Sequence, residues 1–370
     1  MIDRRNFNIG AMGLALGIDL LPGTAAAQPK RIMKVGNASG VNDAQQCFMT
    51  CGQHPRLGYY AAEGVDIEFV NMSNVSQSMQ TVITGETNFA TVVPMLFLLQ
   101  AAKEPNMGVV APYAWLARNA TVLVVKPDSP YKSIADLKGK RFGIRNQGDF
   151  GTTAVKLMFK ELGIDDPATT FIPVGDGGPA GTALHQGRVD AIISFDTAAA
   201  RVELAGFPLR YLPLTDKFAN LGGAWYGVSQ KDLKENRKAY VGLFRGIAKS
   251  TLFARANLDQ AINIHWALYP ESKPKSKSEE EGRQEFKTIL GQRKDNWLRP
   301  DADPEKRIGY ISPSAMRNSV VLATEISKDP QLESKIGDAN RLFTNELIDE
   351  VNAFDKAAIL KQAKEFALAK

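Results

Sequence analysis

The residues in this chain that could do chemistry are mostly suited to holding a molecule, not to changing it. Asn146-Gln147-Gly148-Asp149-Phe150-Gly151-Thr152-Thr153 stands ahead of an apolar helical pattern. A helix that starts on small and polar residues turns free backbone N–H groups and its positive dipole end outward. That arrangement suits a carboxylate, a sulfonate or a similar anion without any lysine. Gln147, Gly148, Asp149, Phe150 and Thr152 are therefore candidate ligand residues, although Thr152 and Thr153 would serve equally as helix caps. Asp176, before Gly177-Gly178, and Asp196, before Thr197, stand where strands should end. Each can meet a ligand or close a turn.

A catalytic set is harder to assemble. His54, His185 and His265 are the only histidines. His185 falls mid-helix and His265 sits in an amphipathic pattern, so packing or surface is the reading for both. No Ser-His-Asp order, His-Glu-x-x-His pair or phosphate loop is present. Gly148 and Gly151 do not make a dinucleotide fingerprint. No cofactor and no metal are expected, and an enzyme is not.

The elements that must position these residues come in two copies. Gly58-Tyr59-Tyr60-Ala61-Ala62-Glu63-Gly64-Val65-Asp66-Ile67 is echoed by Leu157-Met158-Phe159-Lys160-Glu161-Leu162-Gly163-Ile164-Asp165. Thr84-Gly85-Glu86-Thr87-Asn88-Phe89-Ala90 is echoed by Gln186-Gly187-Arg188-Val189-Asp190-Ala191. The separation is about a hundred residues, which suggests two similar lobes facing a shared cleft. The first copy predicts strands at 31–36, 66–71 and 88–93 and helices at 55–63 and 76–84. The second predicts strands at 140–145, 170–174 and 190–195 and helices at 152–162 and 180–186. The apolar run Val122-Leu123-Val124-Val125 carries the chain across, and Trp225-Tyr226-Gly227-Val228-Ser229 brings it back. The remainder, from about Lys231, is helical by periodicity. The fold class is α/β, two doubly wound lobes joined by a two-strand hinge. Lobe 1 is expected from 28–122 with 226–370, and lobe 2 from 123–225.

Ligands of open α/β sheets bind beyond the carboxyl ends of the strands. This rule adds Asn37, Ser39 and Asn42 after the first strand, Ser73 after the second and Pro94 after the third. Trp115, Trp225 and Tyr226 lie near the crossing strands, and Trp225 is taken as a cleft residue.

The chain has 370 residues, 44% of them hydrophobic and 23% charged, with a formal charge of +5. The basic residues are scattered, which argues against a nucleic-acid partner. Arg4-Arg5, the apolar stretch Ile9 to Leu21 and Ala25-Ala26-Ala27 read as an export signal over residues 1–27. The paired arginines followed by Asn6-Phe7 are similar to a twin-arginine signal, and a general secretory signal is the other reading. Either places the mature protein, a monomer, outside the cytoplasm, in the periplasm. The two cysteines, Cys47 and Cys51, are then expected to form a disulfide. A zinc site would need a fourth ligand beside Cys47, Cys51 and His54.

Three motifs resemble one family. They are Gly58 to Ile67, Thr84 to Ala90, and Ile134-Ala135-Asp136-Leu137-Lys138-Gly139-Lys140-Arg141-Phe142-Gly143-Ile144. Together they look like the periplasmic binding proteins of ABC importers for nitrate, taurine, alkanesulfonates and thiamine-precursor pyrimidines. The resemblance runs over roughly residues 30 to 260. It implies a hinged, type II periplasmic-binding-protein-like fold, a small-molecule solute and an ABC permease as partner. The alternatives are a pyrimidine-precursor synthase-like enzyme on the same fold and a solute sensor for a signalling receptor. The expected solute is a small organic anion.

Overall fold

The computed structural model describes residues 30–368 apart from 148, 276, 299–302, 304, 327 and 328. The expected export signal and the candidate Gly148 lie outside the described residues. In chain order, β1 (Arg31–Asn37) leads through a turn of 3₁₀ helix (Ala44–Gln46) into α1 (Cys47–Thr50). Then come β2 (Val65–Asn71), α2 (Val75–Ile83), β3 (Phe89–Val92), α3 (Pro94–Lys103) and β4 (Val109–Leu116). Residues 117–120 cross to β5 (Thr121–Val125). The second copy is β6 (Arg141–Ile144), α4 (Phe150–Glu161), β7 (Thr170–Pro173), α5 (Gly178–His185), β8 (Ala191–Phe195), α6 (Asp196–Leu204) and β9 (Arg210–Leu212). The return crossing holds α7 (Asp216–Ala219) and ends in β10 (Ala224–Ser229). The rest is helical: α8 (Gln230–Glu235), α9 (Arg237–Ala256), α10 (Leu258–Leu268), α11 (Glu279–Arg293), α12 (Pro313–Ile326), α13 (Leu332–Ile336), α14 (Ile348–Val351) and α15 (Lys356–Glu365).

Two five-stranded sheets result, in the orders β2-β1-β3-β10-β4 and β7-β6-β8-β5-β9. In each sheet four strands run the same way, and the strand that crossed from the other half lies antiparallel among them, β10 between β3 and β4 and β5 between β8 and β9. All four residues of β3 are buried, as expected of a strand covered on both faces. The α/β class and the doubled architecture are as the sequence predicts.

Some local expectations fail for visible reasons. The helix expected over 55–63 is a set of turns with one 3₁₀ turn at Ala61–Glu63. Gly58 has φ of 58°, a left-handed conformation that interrupts any right-handed run. The stretch from Val109 carries β4 before the crossing, and α6 starts directly on Asp196.

The C-terminal helices hold both crossings. The backbone N–H groups of Ala117 and Arg118 donate to the Asn296 carbonyl at 2.9 and 3.1 Å. In the return crossing, Gly222 packs near Ala315 of α12. The crossings also touch each other closely. A Cβ on Gly223 would sit 2.2 Å from the Arg118 carbonyl oxygen and 2.4 Å from that of Leu116. The hinge is thus a packed layer of backbone with helices laid against it.

Candidate functional site

The carboxyl ends of the strands from both sheets converge on one cavity of about 360 Å³. Four helices point their N-terminal ends at it. Asn74, Val75 and Ser76 open α2, Pro94, Met95 and Leu96 open α3, Asp149 and Phe150 open α4, and Thr197 and Ala198 belong to the first turn of α6. These four starts are not equivalent. The Asn74 side chain caps α2 by accepting from Gln77 N–H at 2.9 Å. Asp149 caps α4, accepting from Gly151 N–H at 3.2 Å and from Arg145 N–H at 3.2 Å. Val93 and Phe195, the cap residues of α3 and α6, make no side-chain cap hydrogen bond. The start of α3 is therefore left open, and that of α6 only in part, since the Asp196 N–H donates to the Ala120 carbonyl at 2.9 Å and the Thr197 N–H to the Asp196 carboxylate at 2.7 Å. Such ends carry a partial positive charge and unmet N–H groups.

One wall is aromatic. Phe48 stacks on Trp115 at 5.4 Å between centroids with 6° between planes, and Trp115 stacks on Tyr226 at 6.0 Å. Phe69, Phe150 and Phe195 also line the space. Trp115 Nε1 is buried with no hydrogen-bond partner. Burial pushes the Tyr226 hydroxyl well above its usual range, so it stays protonated.

The charged lining consists of Arg145, Arg201, Arg293, Asp149 and Asp176. Each arginine has a carboxylate beside it. Arg145 Nε is 3.9 Å from Asp149. Arg201, on α6, reaches across to Asp43 of the loop after β1 at 2.7 Å and lies 3.5 Å from Asp176. Arg293, on α11, grips Asp196 with Nε at 2.9 and 3.0 Å and Nη2 at 2.5 Å. Asn296 adds an Nδ2 bond to the same carboxylate at 2.7 Å.

Of the residues singled out from sequence, Asn37, Ser39, Pro94, Gln147, Asp149, Phe150 and Asp176 line the cavity. Asn37 and Ser39 are tied to each other at 2.9 Å and to Gln46 Nε2 at 3.1 Å each. Five others are not among its lining residues. Trp225 is 1% exposed and packs toward Phe343. Its neighbours Ala224 and Tyr226 face the cavity instead, because side chains alternate along a strand. Asp196 is buried under Arg293 and Asn296. Ser73 is exposed and uses its N–H on Gln77. Asn42 and Thr152 are half-buried, Thr152 as the third residue of α4. The α4 start, the favoured anion position from sequence, is already filled by the Asp149 carboxylate.

The expected disulfide is corrected as well. Cys47 and Cys51 are both buried and free. They fall on successive right-handed helical turns, and Cys51 Sγ donates to the Cys47 carbonyl at 3.1 Å, away from the other sulfur. Burial pushes both thiols up, so both are protonated at neutral pH. A thiol reagent should label neither cysteine in the native protein within minutes and both after denaturation without reductant. Unlabelled protein two hydrogens lighter in mass would restore the disulfide. His54, the third ligand considered for zinc, stacks edge-on against Phe366. No group of three or more His, Cys, Asp or Glu among the described residues could hold a metal.

Sequence reasoning missed Arg145, Arg201, Arg293, Gln46 and Phe48. Arg145 directly follows β6, so the strand-end rule could have found it. Arg293 carries no local signal.

No curated protein matches the chain in sequence. Its fold is that of solved structures of low identity. The periplasmic aliphatic sulphonate binding protein SsuA of Escherichia coli is 17% identical, with 86% of this chain and 99% of that one covered and a TM-score of 0.63. A protein of Bordetella bronchiseptica RB50 is 19% identical over 88% of this chain and 98% of that one, with a TM-score of 0.61. A Candida albicans gene product described as having the generic periplasmic binding protein fold is 13% identical over 86% and 96%, with a TM-score of 0.53. The two-lobed fold is therefore that of periplasmic binding proteins. The family described as NMT1/THI5 like matches residues 54–261, more than half of the chain, and the protein belongs to that family.

Proposed function

We propose that this protein is an extracytoplasmic solute-binding protein that captures a small organic anion between its lobes and delivers it to an ABC importer. The observation that carries this reading is the cavity itself, whose lining includes the starts of α3 and α6 and an aromatic stack. A volume of about 360 Å³ accepts a small organic molecule. With every lining arginine beside a carboxylate, charge recognition falls to oriented backbone N–H groups, which need no unpaired cation. The Phe48–Trp115–Tyr226 stack supplies an apolar face, and the unpartnered Trp115 Nε1 supplies a donor at its edge. Sulfonate binding in the Escherichia coli relative is consistent with an anionic ligand. Arg4-Arg5 and Ala25-Ala26-Ala27 support export.

A thermal-shift screen over nitrate, alkanesulfonates, aromatic carboxylates and pyrimidines, with organic cations and neutral sugars alongside, tests the proposal. A true ligand at a hundredfold excess over its Kd should add about 2.7 kcal/mol of stability. The solute should be recovered unchanged. Ala198→Phe, which fills space at the α6 start, should abolish the shift, whereas Thr152→Val should leave it. A cation or a neutral sugar as the hit, or turnover of the solute, would sink the reading.

A further inference from the structure

The C-terminal helices contribute a side chain to this cavity. Arg293 lies at the end of α11, outside the residues that match the family. Its side chain is 4% exposed, yet it lines the cavity. Asp196 takes Nε and Nη2, and Nη2 also reaches Thr197 Oγ1 at 3.3 Å. That leaves Nη1 with no hydrogen-bond partner among the described residues. A guanidinium has five N–H donors, and those on Nη1 are spare in a side chain that lines the cavity. Beside it are Thr197 and Ala198, at the start of a nine-residue helix whose cap residue gives no side-chain cap. A charged N–H, a hydroxyl and the positive end of α6 thus meet at one end of the cavity.

We propose that Arg293 binds the anionic group of the ligand through Nη1 and restricts the site to monoanions. This rests on reading the cavity as an anion site. Asp196 is the positioning residue. Its carboxylate fixes the guanidinium plane and cancels its charge. What remains for the ligand is one N–H edge and a helix dipole, worth about half a charge. One negative charge is well served by that arrangement. A dianion would bring a second charge to a lining in which every arginine already has a carboxylate beside it. Nitrate, a sulfonate or a carboxylate fits, and sulfate does not.

Calorimetric titration with nitrate, ethanesulfonate, benzoate and sulfate tests this. Wild-type protein should bind at least one of the three monoanions, and sulfate about tenfold more weakly or worse. The double substitution Asp196→Asn with Arg293→Gln keeps a hydrogen-bonded pair of similar shape without buried charge. It should retain the fold by circular dichroism and lose about tenfold or more in affinity for that monoanion. Arg293→Lys, which keeps the charge but not the planar fork, should lose affinity as well. A readout without substitution is the Arg293 guanidinium ¹⁵N resonance, which should shift on titration. Equal binding by wild type and double variant, with an unmoved resonance, overturns the role of Arg293 and leaves solute binding intact. Sulfate binding as tight as the monoanions overturns the charge restriction. Failure of all four anions to bind wild-type protein overturns the anion reading and this inference with it.

Discussion

Asp196→Ala should destabilise the protein by about 3–5 kcal/mol, because it leaves a buried guanidinium without its counter-charge. Arg293 is 3% exposed and Asp196 4%. The carboxylate accepts from Nε and Nη2 of Arg293, from Asn296 Nδ2 at 2.7 Å and from Thr197 N–H at 2.7 Å. All four donors lose their acceptor together. The effect also spreads, since Asn296 holds the first crossing through its own carbonyl. Denaturant unfolding of wild type, Asp196→Ala and Asp196→Asn measures it. The asparagine should be milder, because its amide oxygen still accepts. A loss below about 1 kcal/mol for the alanine would mean that the pair behaves like an exposed one.

Gly223→Ala should be nearly as harmful, at about 3 kcal/mol, for a reason of shape alone. The added methyl would meet the carbonyl oxygens of Arg118 and Leu116 at 2.2 and 2.4 Å. Both are backbone atoms, at the end of β4 and in the opposite crossing, so no side-chain rotation relieves the contact. The crossings must separate, and ligand affinity should fall with stability as the lobes reorient. Gly291 in α11 supplies the contrast. A Cβ there meets nothing within 4 Å, so Gly291→Ala should stabilise by about 0.5–1 kcal/mol through helix propensity. If the two alanine variants unfold alike, the close approach at Gly223 is not what the hinge depends on.

What the chain reveals before folding is its periodic part. Gly64, Gly85, Gly163 and Gly187 all adopt positive φ and sit at matched places in the two copies. They mark where turns end, and the doubled sheet follows from them. The phase of individual strands is less legible. In β10, five of six residues are buried, so nothing in the polarity of Trp225 and Tyr226 says which one faces the ligand. The helix starts show a similar limit. Asp149 and Asn74 look like ligand residues by position, but each satisfies its own helix first. Val93 and Phe195 have no polar side chain to offer, so α3 stays open, while α6 is partly closed from within by Asp196, which takes the Thr197 N–H. Arg293 was out of reach because its meaning depends on Asp196, which is far away in sequence. A lone cysteine pair in an exported chain suggested a bond, but the helical backbone turns the Cys51 thiol to the Cys47 carbonyl instead.

The Asn296 clasp on Ala117 and Arg118 bears on how fast a solute can come and go. Two amides of the crossing share that one carbonyl, and α12 lies against the other crossing. A swing of one lobe away from the other has to disturb these bonds along with the Arg201–Asp43 contact over the cleft. Association that waits for such an opening runs slower than association with a preformed site. Departure waits on the same step, so residence time should lengthen in proportion, with affinity unchanged. Loosening the clasp would then speed both directions together, and stopped-flow traces would show it as faster exchange at constant Kd.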